Sequence, residues 1–222
     1  MLARLALLGK IGMARSTNSK CRQCRASGEK LFLKGERCFS AKCAMVKRAY
    51  PPGSHRKGRS RRGTSEFGRQ LLEKQRIKKI YGILERQLKR YFREAQAQKG
   101  DVRENLMRKF EMRLDNVIFR LGWAKSRSAA RQLVNHGHVW VNGKKLNIPS
   151  YGVRLGDTIS LKEKIKKSKL TENLAVTLKK LEAPKWLFLD KEKIEAKVLG
   201  IPMVDDLGDL APVGLIIEFY SR

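Results

Sequence analysis

Four cysteines fall as Cys21-x2-Cys24-x13-Cys38-x4-Cys43, and the 222-residue chain has no others. Thiolates three residues apart can grip one ion from a single turn, and a second pair further along completes a tetrahedron of soft ligands suited to zinc. The expectation is one structural zinc ion held by Cys21, Cys24, Cys38 and Cys43. Such a site shapes the loop between the pairs without a large core. Two disulfides, four packed thiols or an iron-sulfur cluster would draw on the same residues, although no convincing export signal places the chain where disulfides persist. Other reactive constellations are missing. The sequence has no Gly-rich loop before a Lys-Ser or Lys-Thr pair, no paired-His metal helix and no nucleophile with a partnered base. An RNA-modifying enzyme would also need an uncommitted catalytic domain, which the chain does not offer.

The cysteines lie in a strongly charged context. Fifty Lys and Arg against twenty-one Asp and Glu give a net charge of +29, more than folding requires. A field of that size implies a polyanionic partner. Residues 1–100 hold 27 basic and 6 acidic side chains, whereas residues 187–222 hold four basic and seven acidic. One end therefore suits phosphate and the other suits protein. Binding to a membrane surface would need a lipid anchor or an amphipathic apolar face, and neither is evident.

Elements that could position these groups follow from periodicity. After Pro51-Pro52-Gly53 comes a stretch rich in glycine and positive charge, with His55, Arg56, Lys57, Arg59, Arg61 and Arg62, read as a phosphate-tracking loop. Ile77, Ile80, Tyr81, Leu84, Leu88 and Tyr91 form one helical stripe. A second unit opens at Asp101, an N-cap with Glu104 three residues on, and a stripe from Leu106 to Leu121 is predicted to run until Gly122. Ser126 caps a shorter helix that ends at Gly137. Alternation at Val139 and Val141, then Asn142-Gly143, Leu146 and Ile148, predicts a hairpin. Residues 157–161 supply another strand. This helix-turn-helix and hairpin present a face edged by Arg113, Arg120, Lys125, Arg127, Arg131, His136, His138 and Lys144. Guanidinium groups can pair with phosphate bidentately, and Ser or Asn side chains can reach sugar hydroxyls.

Three sets of residues carry a family resemblance. The first is Arg113-Leu114-Asp115-Asn116-Val117, Ser126-Arg127-Ser128-Ala129-Ala130-Arg131 and His138-Val139-Trp140-Val141-Asn142-Gly143-Lys144. The second is the four-cysteine pattern with Glu29-Lys30-Leu31-Phe32-Leu33-Lys34-Gly35. The third is Tyr81-Gly82-Ile83-Leu84-Glu85-Arg86-Gln87 and the ending Ile217-Glu218-Phe219-Tyr220-Ser221-Arg222. Together, over roughly residues 13–222, they resemble the bacterial-type S-four family of small-subunit ribosomal proteins in its four-cysteine zinc-binding form. The first set alone is also similar to the small RNA-binding domain of pseudouridine synthases and tyrosyl-tRNA synthetases.

The resemblance implies an α+β protein with a basic, zinc-stapled N-terminal arm, a helical domain and an inserted small α/β RNA-binding domain. It implies no enzymatic activity. The expected role is a primary binder of small-subunit ribosomal RNA in the cytoplasmic ribosome, one that starts assembly of the subunit body and contributes to translational accuracy. Expected partners are that RNA, neighbouring ribosomal proteins, and messenger RNA where it enters the subunit; a membrane is not among them. Family members also repress messages, so a free RNA-binding regulator is the rival reading.

The expected organisation is a leader or misassigned start at 1–12, a zinc arm and basic loop at 13–63, and helical residues at 64–100. The RNA-binding domain follows at 101–170, and residues 171–222 complete the helical domain. Expected RNA contacts are Arg22, Arg25, Lys47, Arg48, the basic loop, Arg69, Lys74, Arg76, Lys78, Lys79, the basic face above, Ser126, Ser128 and Asn142. Leu215, Ile217, Phe219 and Tyr220 are expected to meet a neighbouring protein. Asp205, Asp206 and Asp209 suit the same contact, with a metal site as the lesser alternative.

Overall fold

The computed structural model describes residues 18–53, 65–166, 174, 178, 181–203 and 213–221. The 1–12 leader, the basic loop from His55 to Arg62 and the three aspartates lie outside the described residues.

Two apolar cores account for the architecture. Around the first pack helices α3 (Glu66–Tyr81), α4 (Glu85–Gln96), α5 (Val102–Glu111) and the last helix, α9 (Val213–Tyr220). Its centre is Leu88, Leu106, Phe110 and Ile216, all fully buried. The arm reaches this core through Cys24 and Leu31, from α1 (Lys20–Ser27) and the loop after it, and short α2 (Ala44–Lys47) packs on α1. The second core joins α6 (Leu114–Arg120) and α7 (Arg127–Asn135) to a sheet of β1 (Val139–Val141), β2 (Lys144–Leu146), β3 (Thr158–Leu161), β4 (Leu187–Asp190) and β5 (Glu195–Val198). A short α8 (Glu163–Lys166) follows β3. The sheet is antiparallel in the order β2-β1-β3-β5-β4, with Val139 opposite Leu161 and Ile159 opposite Ala196. Asn142 and Gly143 both take positive φ, at 50° and 74°, as the tight hairpin between β1 and β2 requires.

Three expectations change. The stripe from Ile77 to Tyr91 is two helices, because Gly82 adopts the left-handed conformation (φ 62°) that ends α3, and Leu84 restarts the chain in extended form. The stripe from Leu106 to Leu121 breaks at Met112 and Arg113, where the backbone pairs sideways instead. There Leu114 N donates to Tyr151 O at 2.8 Å and Val153 N donates to Met112 O at 2.8 Å. As a result α5 belongs to the helical core, so the small domain begins after residue 111 and not at Asp101. Finally, residues 187–198 extend the sheet of the small domain, while, among the described residues of this segment, α9 alone returns to α3.

The return of α9 rests on Glu85. Its carboxylate accepts from Lys74 at 2.9 Å, from Lys78 at 2.7 Å and from the Tyr220 hydroxyl. Lys74 is itself buried, with its ammonium 4.1 Å from the Phe219 ring centre. Burial acts to raise the Glu85 pKa, but the bonds from Lys78, Tyr220 and Lys74 outweigh it and hold the group down to about 2, against an ordinary 4.5. A depressed carboxylate contributes stability in full above its unfolded pKa, and that contribution disappears as pH falls through the folded one. Between pH about 4.5 and about 2, the protection of α9 amides, relative to the intrinsic exchange rate at each pH, is therefore expected to fall ahead of that of amides in β1 and β3. Glu85→Gln should show fast α9 exchange already at neutral pH, with a flatter acid response. Identical acid profiles for the two proteins would show that Glu85 does not hold the helix.

Candidate nucleic-acid interface

Where the two cores meet, two buried carboxylates gather Arg113, Arg120 and Arg131 from the RNA-facing surface that the sequence predicts for the small domain. Asp115 receives Arg113 through Nε at 3.0 Å and Nη2 at 2.8 Å, and Arg131 through Nε at 2.9 Å and Nη2 at 2.7 Å. Arg131 also donates to the Gly82 carbonyl at 2.6 Å, and Arg113 donates to the Tyr91 hydroxyl at 2.8 Å. Glu111 accepts from Arg120 at 2.9 and 3.0 Å, from Asn116 at 2.9 Å and from the Tyr81 hydroxyl at 2.6 Å. Arg127 donates to Asn116 at 2.8 Å and lies over the Tyr81 and Phe119 rings.

The electrostatics follow from this packing. Burial works to raise the Glu111 carboxyl, but the Arg120 hydrogen bonds and charge, with the charge on Arg127, outweigh it and keep the group ionised. Burial likewise opposes the charge on Arg113, and Asp115 more than restores it. Burial and the Glu111 charge push the Tyr81 hydroxyl well above its usual range, so it stays a donor.

Arg113, 2% exposed, is therefore corrected from an RNA contact to an internal tie, whereas Arg120, Arg127 and Arg131 are tied within the protein and stay partly exposed. Lys74 and Lys78 are tied to Glu85 in the same way. A second group fastens the arm. Arg76 pairs with Glu29 at 3.0 Å, Lys79 donates to Ser27 at 2.8 Å, Arg25 donates to the Tyr50 carbonyl at 2.9 Å, and Lys125 pairs with Glu36 at 2.9 Å. At Gly35 (φ 60°) a Cβ would fall 2.1 Å from the Lys125 carbonyl oxygen, so only glycine allows the arm to lie so close to the small domain. Asn142 braces its own hairpin through Asp157 and Thr158, and Ser126 caps α7. The C-terminal quartet turns inward too: Ile217 packs on the helical core, Phe219 stacks on Phe67, Tyr220 lies against Phe92 and Leu215 is half-buried. A helix of such high apolar content gains more from closing its own core than from a free surface.

Arg22, Lys47, Arg48, Arg69, Ser128, His136 and Lys144 remain exposed, and His138 is half-buried 5.8 Å from His136, ring to ring. Burial, with His136, Lys162 and Lys145 nearby, pulls the His138 pKa down and favours the neutral ring.

Bringing arm, α3 and α7 together creates an open cleft of about 410 Å³ lined by Ser19, Lys20, Phe32, Lys34, Lys79, Arg127, Ser128 and Arg131. Acidic side chains are absent from that lining. The sequence analysis did not place Lys20, Lys34 or Phe32 among the RNA contacts; the position of Phe32 and Lys34 between the two cysteine pairs was the available signal. Such a cleft can seat a phosphate backbone, with its floor held by groups already paired to one another.

The four thiols also come together. Cys24, Cys38 and Cys43 are buried and Cys21 half-buried, all four free of disulfides, and they line one cavity of about 20 Å³ with Leu33 and Met45. A space of that size admits a single water or ion. The Lys34 N–H points to the Cys38 sulfur at 3.4 Å, and the Leu31 N–H bonds the Cys24 sulfur. Burial pushes the Cys24 thiol pKa up, and the neighbouring cysteines add to the rise. Among the described residues no three such groups are already drawn to metal-binding distance, so an ion would have to pull the sulfurs inward.

Comparison with known proteins completes the description. A family model described as the ribosomal protein S4/S9 N-terminal domain matches residues 15–111, and one described as the S4 domain matches residues 112–159. The boundary between them falls at the break between α5 and α6. The small ribosomal subunit proteins uS4 of Halothermothrix orenii, Syntrophomonas wolfei and Clostridioides difficile are 51%, 49% and 49% identical to the chain. Each match spans 210 residues, 95% of this chain and the whole length of the relative. With both domains matched in order and half the residues identical along nearly the full length, the chain belongs to the small ribosomal subunit protein uS4 family.

Proposed function

We propose that the chain is a structural protein of the small ribosomal subunit that binds the subunit's RNA through the cleft between arm, α3 and α7. Family membership carries the assignment, and the cleft supplies the surface. Its walls are basic, its floor is rigid, and the chain's net charge of +29 concentrates any polyanion around it. As a structural ribosomal protein it performs no catalysis. The finer expectations, that it starts assembly of the subunit body, supports translational accuracy with neighbouring proteins and lies near incoming messenger RNA, belong to the same proposal.

Zinc is part of it as well. Cys21, Cys24, Cys38 and Cys43 fit one ion by number, softness and shared cavity, and the N–H groups of Leu31 and Lys34 suit anionic sulfur. The ion's role is to hold the arm against α3. A chelator should make residues 18–48 sensitive to protease while the second core stays protected. Equal resistance before and after metal removal contradicts that role.

Binding to small-subunit ribosomal RNA against an unrelated structured RNA of equal length, followed as a function of salt, tests the main assignment. A preference of about a thousandfold or more at physiological salt is expected. Lys20→Ala with Lys34→Ala should flatten the logarithmic salt slope by about 0.7–0.9 for each phosphate that the protein no longer neutralises. Equal affinity for both RNAs would leave a mere polycation, and an unchanged slope would remove the cleft from the interface.

A further inference from the structure

Two large aromatic side chains stand open on the metal arm. Phe39 is 77% exposed and Phe32 45%, and their rings stack with centroids 5.0 Å apart. Phe32 also holds a left-handed backbone (φ 49°), which a bulky residue adopts only when its surroundings force it, and such strain gathers at binding surfaces. The chain is anchored on both sides of it: Leu31 is buried in the helical core, and Gly35 abuts the Lys125 carbonyl while Glu36 pairs with Lys125. A loop held at both ends thus presents two rings to solvent.

We propose that Phe39, backed by Phe32, is a stacking platform for an unpaired nucleobase of the ribosomal RNA whose phosphates run through the cleft. The inference rests on the functional reading above and adds a base contact to it. Charge complementarity selects the occupant, because Phe32 lines the cleft beside Lys20, Lys34 and Lys79, where polyanion accumulates. Base edges in a paired RNA helix are poorly reached, and proteins read RNA chiefly by stacking unpaired bases on aromatic faces. Beyond Phe39 an apolar cavity of about 690 Å³, lined also by Phe119 and Trp123, leaves room beside the ring for a planar group.

The test uses the full chain, zinc-loaded, with small-subunit ribosomal RNA. Phe39→Ala should weaken binding by about five- to a hundredfold, the range for removing one base stack, with an unchanged salt slope because every phosphate contact stays in place. Phe39→Leu, apolar but lacking a ring face, should weaken binding nearly as much, and Phe39→Trp should keep wild-type affinity. In the wild-type complex one base should gain protection from chemical probing that the alanine variant lacks. The exposure of Phe39 means these variants leave the fold intact, which circular dichroism checks. Wild-type affinity in Phe39→Ala, or in Phe39→Leu, overturns the platform. So does normal binding of naked RNA with failed incorporation into subunits, which would assign the rings to a neighbouring protein. A wild type without preference for this RNA overturns the functional reading and the platform with it, whereas a preference undiminished in Phe39→Ala overturns the platform alone.

Discussion

Two carboxylates with almost no exposure, Glu111 and Asp115, set the geometry of the whole molecule. Glu111 closes α5 and Asp115 sits in the first turn of α6, on either side of the break between the two domains. Burying either alone would be prohibitively costly, so each must collect cations and donors. Those come from both sides: the Tyr81 hydroxyl of the helical core donates to Glu111, and Arg113, Arg120, Asn116 and Arg131 of the small domain donate to the two carboxylates, while the Tyr91 hydroxyl and the Gly82 carbonyl of the helical core accept further N–H groups of Arg113 and Arg131. Donor directions in guanidinium are fixed, so the pairs specify an orientation as well as a contact. The domains are thereby locked at one angle, and the cleft inherits its shape from that lock.

Function follows from dividing the positive charge into two populations. Arginines and lysines bonded within the protein build the scaffold, and the exposed remainder supplies the field that draws RNA. Lys125, Arg76, Lys79 and Arg25 stand between these populations, since each fastens the arm while adding charge near the cleft. A structural RNA binder gains from this division. RNA helices are recognised largely by shape and backbone, which rewards a surface that does not rearrange.

Much of the fold was legible in the sequence because local chemistry decided it. Asn142-Gly143 gave the hairpin, Ser126 and Asp101 the helix starts, and the apolar stripes the cores. Two stripes misled, since Leu84 and Leu114 keep helical spacing across a break. Gly82 signals the first break, but the second depends on pairing with residues 149–153, a distant partner that periodicity cannot report. The sheet's recruitment of residues 187–198 is non-local for the same reason. The site was legible as a charge distribution and much less so residue by residue, because a paired and a free arginine read alike. The usable clue was the acid: Glu111 and Asp115 interrupt an otherwise apolar stripe, and an acid buried there must take arginines from somewhere. At the other end, Phe219 and Tyr220, expected to meet a neighbouring protein, also pack on α3 and α4 of the same chain, which their apolar character alone could not distinguish.

Asp115→Asn, assayed for unfolding free energy and RNA affinity in the same preparation, tests the lock most directly, because it removes the shared acceptor of Arg113 and Arg131 without removing any positive charge. The account predicts destabilisation of about 3–5 kcal/mol, the cost of leaving buried charge unpaired, and a reduced preference for small-subunit ribosomal RNA despite the gain in net charge. Wild-type stability with equal or tighter selective binding would contradict it, and would return these arginines to the RNA.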